Sequence, residues 1–191
     1  MVETRSTMAP IGMIAPDFSL QDTEGKIVSL ADFTDAPALL VMFLCNHCPF
    51  VKHLQLDLTN LVSEYQEMGL GAVAINSNDF INYPDDNPKR MGEEVKRASY
   101  TFPYLVDEDQ SIAKEYRASC TPDFFLFDEK KELCYRGQFD DSRPGNQIAI
   151  SGADLRRAIE YVLEGKELSG TQKPSVGCNI KWKRGNEPGY S

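Results

Sequence analysis

Nothing in this chain is long and apolar enough to span a membrane as a helix. Its longest unbroken apolar run, Ala38–Leu44, is far short of the ~20 residues such a helix needs. The opening MVETRSTMAP carries Glu3 and has no apolar centre, so it does not read as a secretory signal, and a soluble cytoplasmic protein is expected. Positive charge is scarce too. Lys and Arg number 20 against 29 Asp and Glu, and the net charge of −9 would repel nucleic acid and anionic membranes alike. Five cysteines in 191 residues are too few and too scattered for a disulfide framework, so a close pair in a reducing compartment points to catalysis or metal binding. Repeats and linkers are also missing. One domain over 1–191 is expected, with 166–191 as a C-terminal tail wrapped on its surface.

What is present alternates between strand and helix signals. Phe18–Leu20 and Ile27–Leu30 flank Asp22–Lys26, with Gly25 as the turn residue, and predict a hairpin. PALLVMFL is continuous apolar sequence of strand length, as a strand covered on both faces requires. From Phe50 the spacing changes: Leu54, Leu58, Leu61, Val62 and Tyr65 continue one helical stripe, which Gly69 and Gly71 end. LGAVAIN predicts a second buried strand, Met91–Ser99 a helix, YLV a short strand and DQSIAKEYR a short helix. DFFLFD and ELCYRG predict a second hairpin, and Leu155, Ile159, Val162 and Leu163 a last helix after the SGAD cap. Such alternation makes an α/β domain.

Between the first buried strand and the first long helix stands CNHC, residues 45–48, with Pro49 directly after. Proline is tolerated only in the first turn of a helix, so the helix is expected to start at about Cys45–Cys48, with Cys45 at its tip. Free N–H groups and the helix dipole there favour a negative sulfur. An ordinary thiol of pKa ~8.5 is only about 3% thiolate at pH 7, whereas one lowered to ~6.5 is about three-quarters ionised. Cys48 falls one turn further in, on the same face. The residues alone leave three readings: a redox pair, a soft-metal site with His47, or two inert thiols. His47 is expected to face solvent and His53 to lie on the helix surface.

At this point the chain resembles the thioredoxin superfamily, in its redoxin (AhpC/TSA, peroxiredoxin-like) branch. APDFSL.D..GK.VSL resembles the N-terminal hairpin of that branch, LLVMFLCNHCPF its strand, active site and helix, and FPYLVDEDQSIAKEYRASCTPDFFLFD the approach to its cis-proline. The resemblance implies a central mixed sheet flanked by helices, with the hairpin as an N-terminal extension. It implies a thiol–disulfide oxidoreductase: Cys45 as nucleophile, Cys48 as resolving thiol, and Pro122 as a cis-proline that leaves the Thr121 backbone free to bind an extended substrate. The partners implied are protein or small thiol and disulfide substrates and a thiol reductant, with no bound cofactor and no resident metal.

Departures from the pattern matter as well. Leu44 stands where thioredoxins carry Trp, and Leu39 where they carry a buried acid, so no carboxylate is visible to take a proton from Cys48. The peroxiredoxin P-x-x-x-T-x-x-C motif fits neither cysteine. Aligned on Cys48 it meets Cys45 and Val41, and aligned on Cys45 it meets Met42 and Ala38. An antioxidant peroxidase is the first alternative and a copper-binding module using Cys45, Cys48 and His47 the second. Cys120 and Cys178 are auxiliary candidates near the site, Cys134 is expected in the core, and Asp140, Asp141 and Arg143 are expected to close a polar loop.

Overall fold

The computed structural model describes residues 3–190. A short strand, β1 (Glu3–Arg5), precedes the expected hairpin of β2 (Ser19–Asp22) and β3 (Ile27–Ser29), with Gly25 at φ +85° in the turn. A 3-10 turn leads into β4 (Ala38–Phe43), all six residues of which are buried. Then follow α1 (Pro49–Gln66), β5 (Leu70–Asn76), α2 (Pro88–Ala98), β6 (Tyr104–Val106), α3 (Ser111–Glu115) and β7 (Cys120–Thr121). The chain ends through β8 (Asp123–Phe127), β9 (Leu133–Gly137), α4 (Ala153–Leu163) and β10 (Val176–Asn179).

Seven strands form one mixed sheet in the order β3-β2-β6-β5-β4-β8-β9. Strand β4 is parallel to β5 and antiparallel to β8, and the N-terminal hairpin adds to the far edge by pairing β2 with β6. Because successive side chains on a strand face opposite ways, β4 feeds two cores. Leu40, Met42 and Leu44 pack with Leu54, Leu58 and Leu61 of α1 and with Leu155 and Ile159 of α4. Leu39, Val41 and Phe43 pack with Phe18, Ile112, Tyr116, Phe125 and Phe127 on the other face. This double burial is why β4 shows no polar alternation.

The tail is more than a surface wrap. Strand β10 lies between β1 and β7 in a second, antiparallel sheet, with Cys178 opposite Thr121 and Asn179 opposite Cys120. Gly177 permits that approach: a Cβ there would stand 2.0 Å from the Thr121 carbonyl oxygen. One cysteine also departs from expectation. Cys134 is half-buried and only borders the core, because it falls on the outer side of β9, whose burial alternates residue by residue.

Candidate active site

The site is assembled where β4 ends. The Leu44 N–H still bonds the Ile75 carbonyl at 3.0 Å, and at Cys45 the chain leaves the sheet. Pro49 is the first helical residue and Cys48, extended at φ −73° and ψ 123°, is the N-cap. The expectation that Cys45 forms the helix tip is therefore corrected. A proline at the first helical position drives the residue before it out of the helical region, and that residue is Cys48.

The two sulfurs meet the Thr121-Pro122 loop, whose peptide bond is cis. Cys45 Sγ lies 3.1 Å from Thr121 Oγ1, and the Cys48 thiol donates to the Thr121 carbonyl oxygen at 3.1 Å. Cys178 reaches the same place from β10, opposite Thr121, and shares one buried cluster with Cys45 and Cys48. Hydrogen bonds from Cys178 and Cys45, helped by the Val51 N–H, hold the Cys48 thiol well below its ordinary range against the pull of burial. Burial pushes Cys45 well up, aided by its bond to Cys48 and the Asp86 charge. Its role as donor to Cys48, then burial, pushes Cys178 up as well. The bond that Cys48 donates to the Thr121 carbonyl favours its neutral form and works against that lowering. Of the two thiols, Cys48 is the one held below its ordinary range and Cys45 the one pushed up, opposite to the expectation from helix-tip placement. All three residues are at most 3% exposed.

Thr121 also departs from its expected role. Its backbone is not free for an incoming chain, since β10 is paired with it. Thr121 instead positions the two sulfurs, through its hydroxyl and its carbonyl.

Beside Cys45 lies a polar network that the sequence did not reveal. His47 Nδ1 stands 2.6 Å from Asp86 Oδ2, off the N–H axis, so the contact is an ion pair more than a linear hydrogen bond. Asp86 is buried, and its carboxylate accepts from the Asn46 N–H at 2.7 Å and from the side-chain amides of Asn78 at 2.9 Å and Asn76 at 3.2 Å. Tyr104 donates to Asn46 Oδ1, which fixes the loop from the other side. Contact with Asp86 raises the His47 pKa. Burial pulls Asp86 up, yet its bonds to His47, Asn78 and Asn46 leave it below the ordinary carboxylate range. His47 does not face solvent as expected: its side chain is 19% exposed and its ring stacks on Tyr83 at 5.8 Å, with Lys181 Nζ over the far side of Tyr83.

Cys45 Sγ, His47 Nδ1 and an Asp86 oxygen lie within 4.8 Å of one another, a donor set able to approach a metal ion. Asp86 is already held by four partners, however, and ligation would cost it several of them. Cys120 is buried, with its thiol on the Pro122 carbonyl oxygen at 3.6 Å, and touches neither site sulfur. His53 bonds Ser142 Oγ at 2.8 Å. In the 138–146 loop Arg143 bonds the Asp140 and Ser142 carbonyl oxygens rather than an acid, while Asp141 pairs with Lys173. A further acid, Asp123, is buried on the opposite face of β8 from the sulfurs, among the Phe125 and Phe127 side chains. Burial pushes its carboxyl up to about 7, against the pull of Ser6 and the N–H groups of Ser119 and Phe124.

The span that carries the hairpin, the C-x-x-C segment and the cis-proline, residues 11–136, matches the model of the AhpC/TSA family. The chain belongs to that family. Helix α4 and strand β10, and Cys178 with them, lie outside the matched span of the AhpC/TSA fold. The thiol–disulfide oxidoreductase ResA of Geobacillus thermodenitrificans is 27% identical over 130 residues, 68% of this chain and 70% of that one. A hypothetical protein of Sinorhizobium meliloti 1021, known from a crystal structure, is 51% identical with a TM-score of 0.94, covering 95% of this chain and all of its own. The thioredoxin domain of a thiol-disulfide oxidoreductase from Bacteroides vulgatus superposes with a TM-score of 0.63 at 17% identity over 81% of this chain and 98% of that one. The last likeness establishes the thioredoxin-like fold alone. Relatives named for thiol–disulfide oxidoreduction and the paired thiols of this site agree on the class of chemistry.

Proposed function

We propose that this chain reduces disulfides of proteins or small thiols in a reducing compartment, with Cys45 attacking and Cys48 resolving. The observation that carries the reading is the placement of the two sulfurs: Cys48, the N-cap of α1, and Cys45 both meet Thr121 at the cis-proline loop. Cys45 and Cys48 share one proton, and Cys45 attacks in the state in which Cys48 holds it, so the pair supplies its own base where no carboxylate does. Cys45 then attacks one sulfur of the substrate disulfide and expels the other as a thiolate, which takes up the proton held by Cys48. Cys48 attacks Cys45 Sγ, the second substrate thiolate leaves and is protonated from solvent, and a Cys45–Cys48 disulfide remains. The half-exposed wall of His47 and Tyr83 beside Cys45 is the surface that meets the substrate, because β10 covers the Thr121 edge.

Hydroperoxide reduction is the weaker reading. The positions that shape a peroxide pocket in peroxiredoxins are held here by Val41 and Cys45. The copper reading is weaker still, since its imidazole is committed to Asp86.

The test is redox titration in a glutathione gradient, with Cys48→Ser used to trap partners. A Cys45–Cys48 disulfide should form, and Cys48→Ser should accumulate mixed disulfides through Cys45. If no disulfide forms at any glutathione ratio and neither cysteine variant captures a partner, the reading falls.

A further inference from the structure

Cys178 has no part in the exchange just described, yet it touches the resolving sulfur. Its position is built rather than incidental. Strand β10 is held on both edges, by β1 and by β7, which sets residue 178 directly opposite residue 121. The residue before it must be glycine, because any side chain would strike the Thr121 carbonyl oxygen, the same atom that accepts from Cys48. One carbonyl is thus approached by β10 from one side and by Cys48 Sγ from the other. Cys178 is buried in the same cluster as Cys45 and Cys48. By contrast Cys120, one residue from the same loop, has its thiol on Pro122 and lies outside the chain of sulfurs.

We propose that Cys178 is a third redox thiol and that Cys48 forms a disulfide with either Cys45 or Cys178. This deepens the thiol–disulfide reading above and rests on it. The step is an internal exchange. Deprotonated Cys178 attacks Cys48 Sγ of the Cys45–Cys48 disulfide, the Cys48–Cys178 bond forms, and the Cys45–Cys48 bond breaks. Cys45 leaves as a thiolate and takes the proton that Cys178 gave up. One disulfide and one thiol become one disulfide and one thiol, so no electrons enter or leave. The exchange carries the disulfide away from the His47–Tyr83 wall and onto β10. There the new bond fastens β10 across Thr121.

The experiment oxidises Cys45→Ser with glutathione disulfide, alkylates the remaining thiols after unfolding, and maps the bridged peptides by mass spectrometry. Wild type and Cys45→Ala are treated in parallel, and circular dichroism verifies the fold of each. Four of the five cysteines remain in either variant. The free-thiol count should fall from four to two, with Cys48 joined to Cys178, and Cys45→Ser carrying Cys178→Ser as well should give only a glutathione adduct on Cys48. If wild type forms its Cys45–Cys48 disulfide while both folded variants keep Cys48 and Cys178 unbridged, the third-thiol proposal is overturned and the dithiol reading stands. If wild type forms no Cys45–Cys48 disulfide, the dithiol reading fails and the exchange fails with it.

Discussion

The two ends of the seven-stranded sheet use similar residues to opposite effect. Where β4 and β5 finish, Cys48, Asn76, Asp86 and Thr121 are buried and each is hydrogen-bonded. Where β4 begins and β8 turns into β9, a groove of about 610 Å³ runs past Pro37, Asp128, Leu133, Cys134 and Leu163. That groove contains a cysteine too. The balance there is against its thiolate: the Cys134 thiol donates to the Glu132 carbonyl oxygen at 3.5 Å, and burial and the Asp128 charge push it up against the pull of the Asp128 N–H. The groove and the site sulfurs are thus at different ends. A thiolate is made by the donors packed around it, and disulfide exchange needs access to one sulfur rather than a chamber.

The largest expected effect tests that contrast directly. Cys45→Ser or Cys48→Ser should lower disulfide-reducing turnover by about three orders of magnitude or more, as loss of a residue acting within a catalytic unit does. Cys134→Ser should leave turnover at the wild-type level in an insulin-reduction assay. Equal losses at the two ends would erase the distinction.

The ends of β8 offer a second comparison, in stability. Asp123 is buried at the sulfur end and Asp128 sits in the turn at the groove end. Since folding raises the Asp123 pKa from 3.8 to about 7, the native state holds that proton more tightly than the unfolded chain. Its contribution is therefore complete below 3.8 and lost as pH rises towards about 7. Asp123→Asn should remove this slope and stabilise the protein above neutral pH by up to about 4 kcal/mol, from ~1.4 kcal/mol per pKa unit. Asp128→Asn should leave the slope intact in denaturant titrations across pH.

Two glycines of the C-terminal segment sharpen the contrast further. Gly177→Ala should cost about 1–3 kcal/mol through overpacking against Thr121, whereas Gly189→Ala, with nothing within 4 Å of its Cβ position, should stay within about 0.5 kcal/mol. If both substitutions are silent, β10 is not held against the site. The smallest effect is a titration. Contact with Asp86 raises the His47 pKa, so the pair's contribution is present below the ordinary histidine value of 6.5 and is lost as pH rises through the raised one. Asp86→Asn should move the His47 midpoint downward by NMR.

Much of the fold could be read locally. The β4 run, the stripe of Leu54, Leu58, Leu61 and Tyr65 along α1, both hairpins and the cis bond at Pro122 agree with what pattern and resemblance implied. The errors share a cause. His47 was expected in solvent because its partner Asp86 sits 39 residues away in a segment that reads as plain turn, NYPDDNP. A run of polar residues, Asn76, Asn78 and Asp86, directly after a buried strand was the one available signal. Cys45 was given the charge because a helix start is a local feature, whereas the donors that settle the matter come from Cys178 and from the N-cap position of Cys48.

By itself the sequence determined the two-sided core, the N-terminal hairpin, the C-x-x-C segment between a buried strand and a helix, and the early proline of that helix, because hydrophobic period, glycine and proline act over a few residues. Tertiary structure alone decided which thiol is pushed down and which up, what closes the Thr121 edge, and that a third thiol joins the buried cluster of the other two. Those depend on residues brought together from distant parts of the chain, and the energy of a buried thiolate depends on every donor within hydrogen-bond reach, wherever in the sequence it arises.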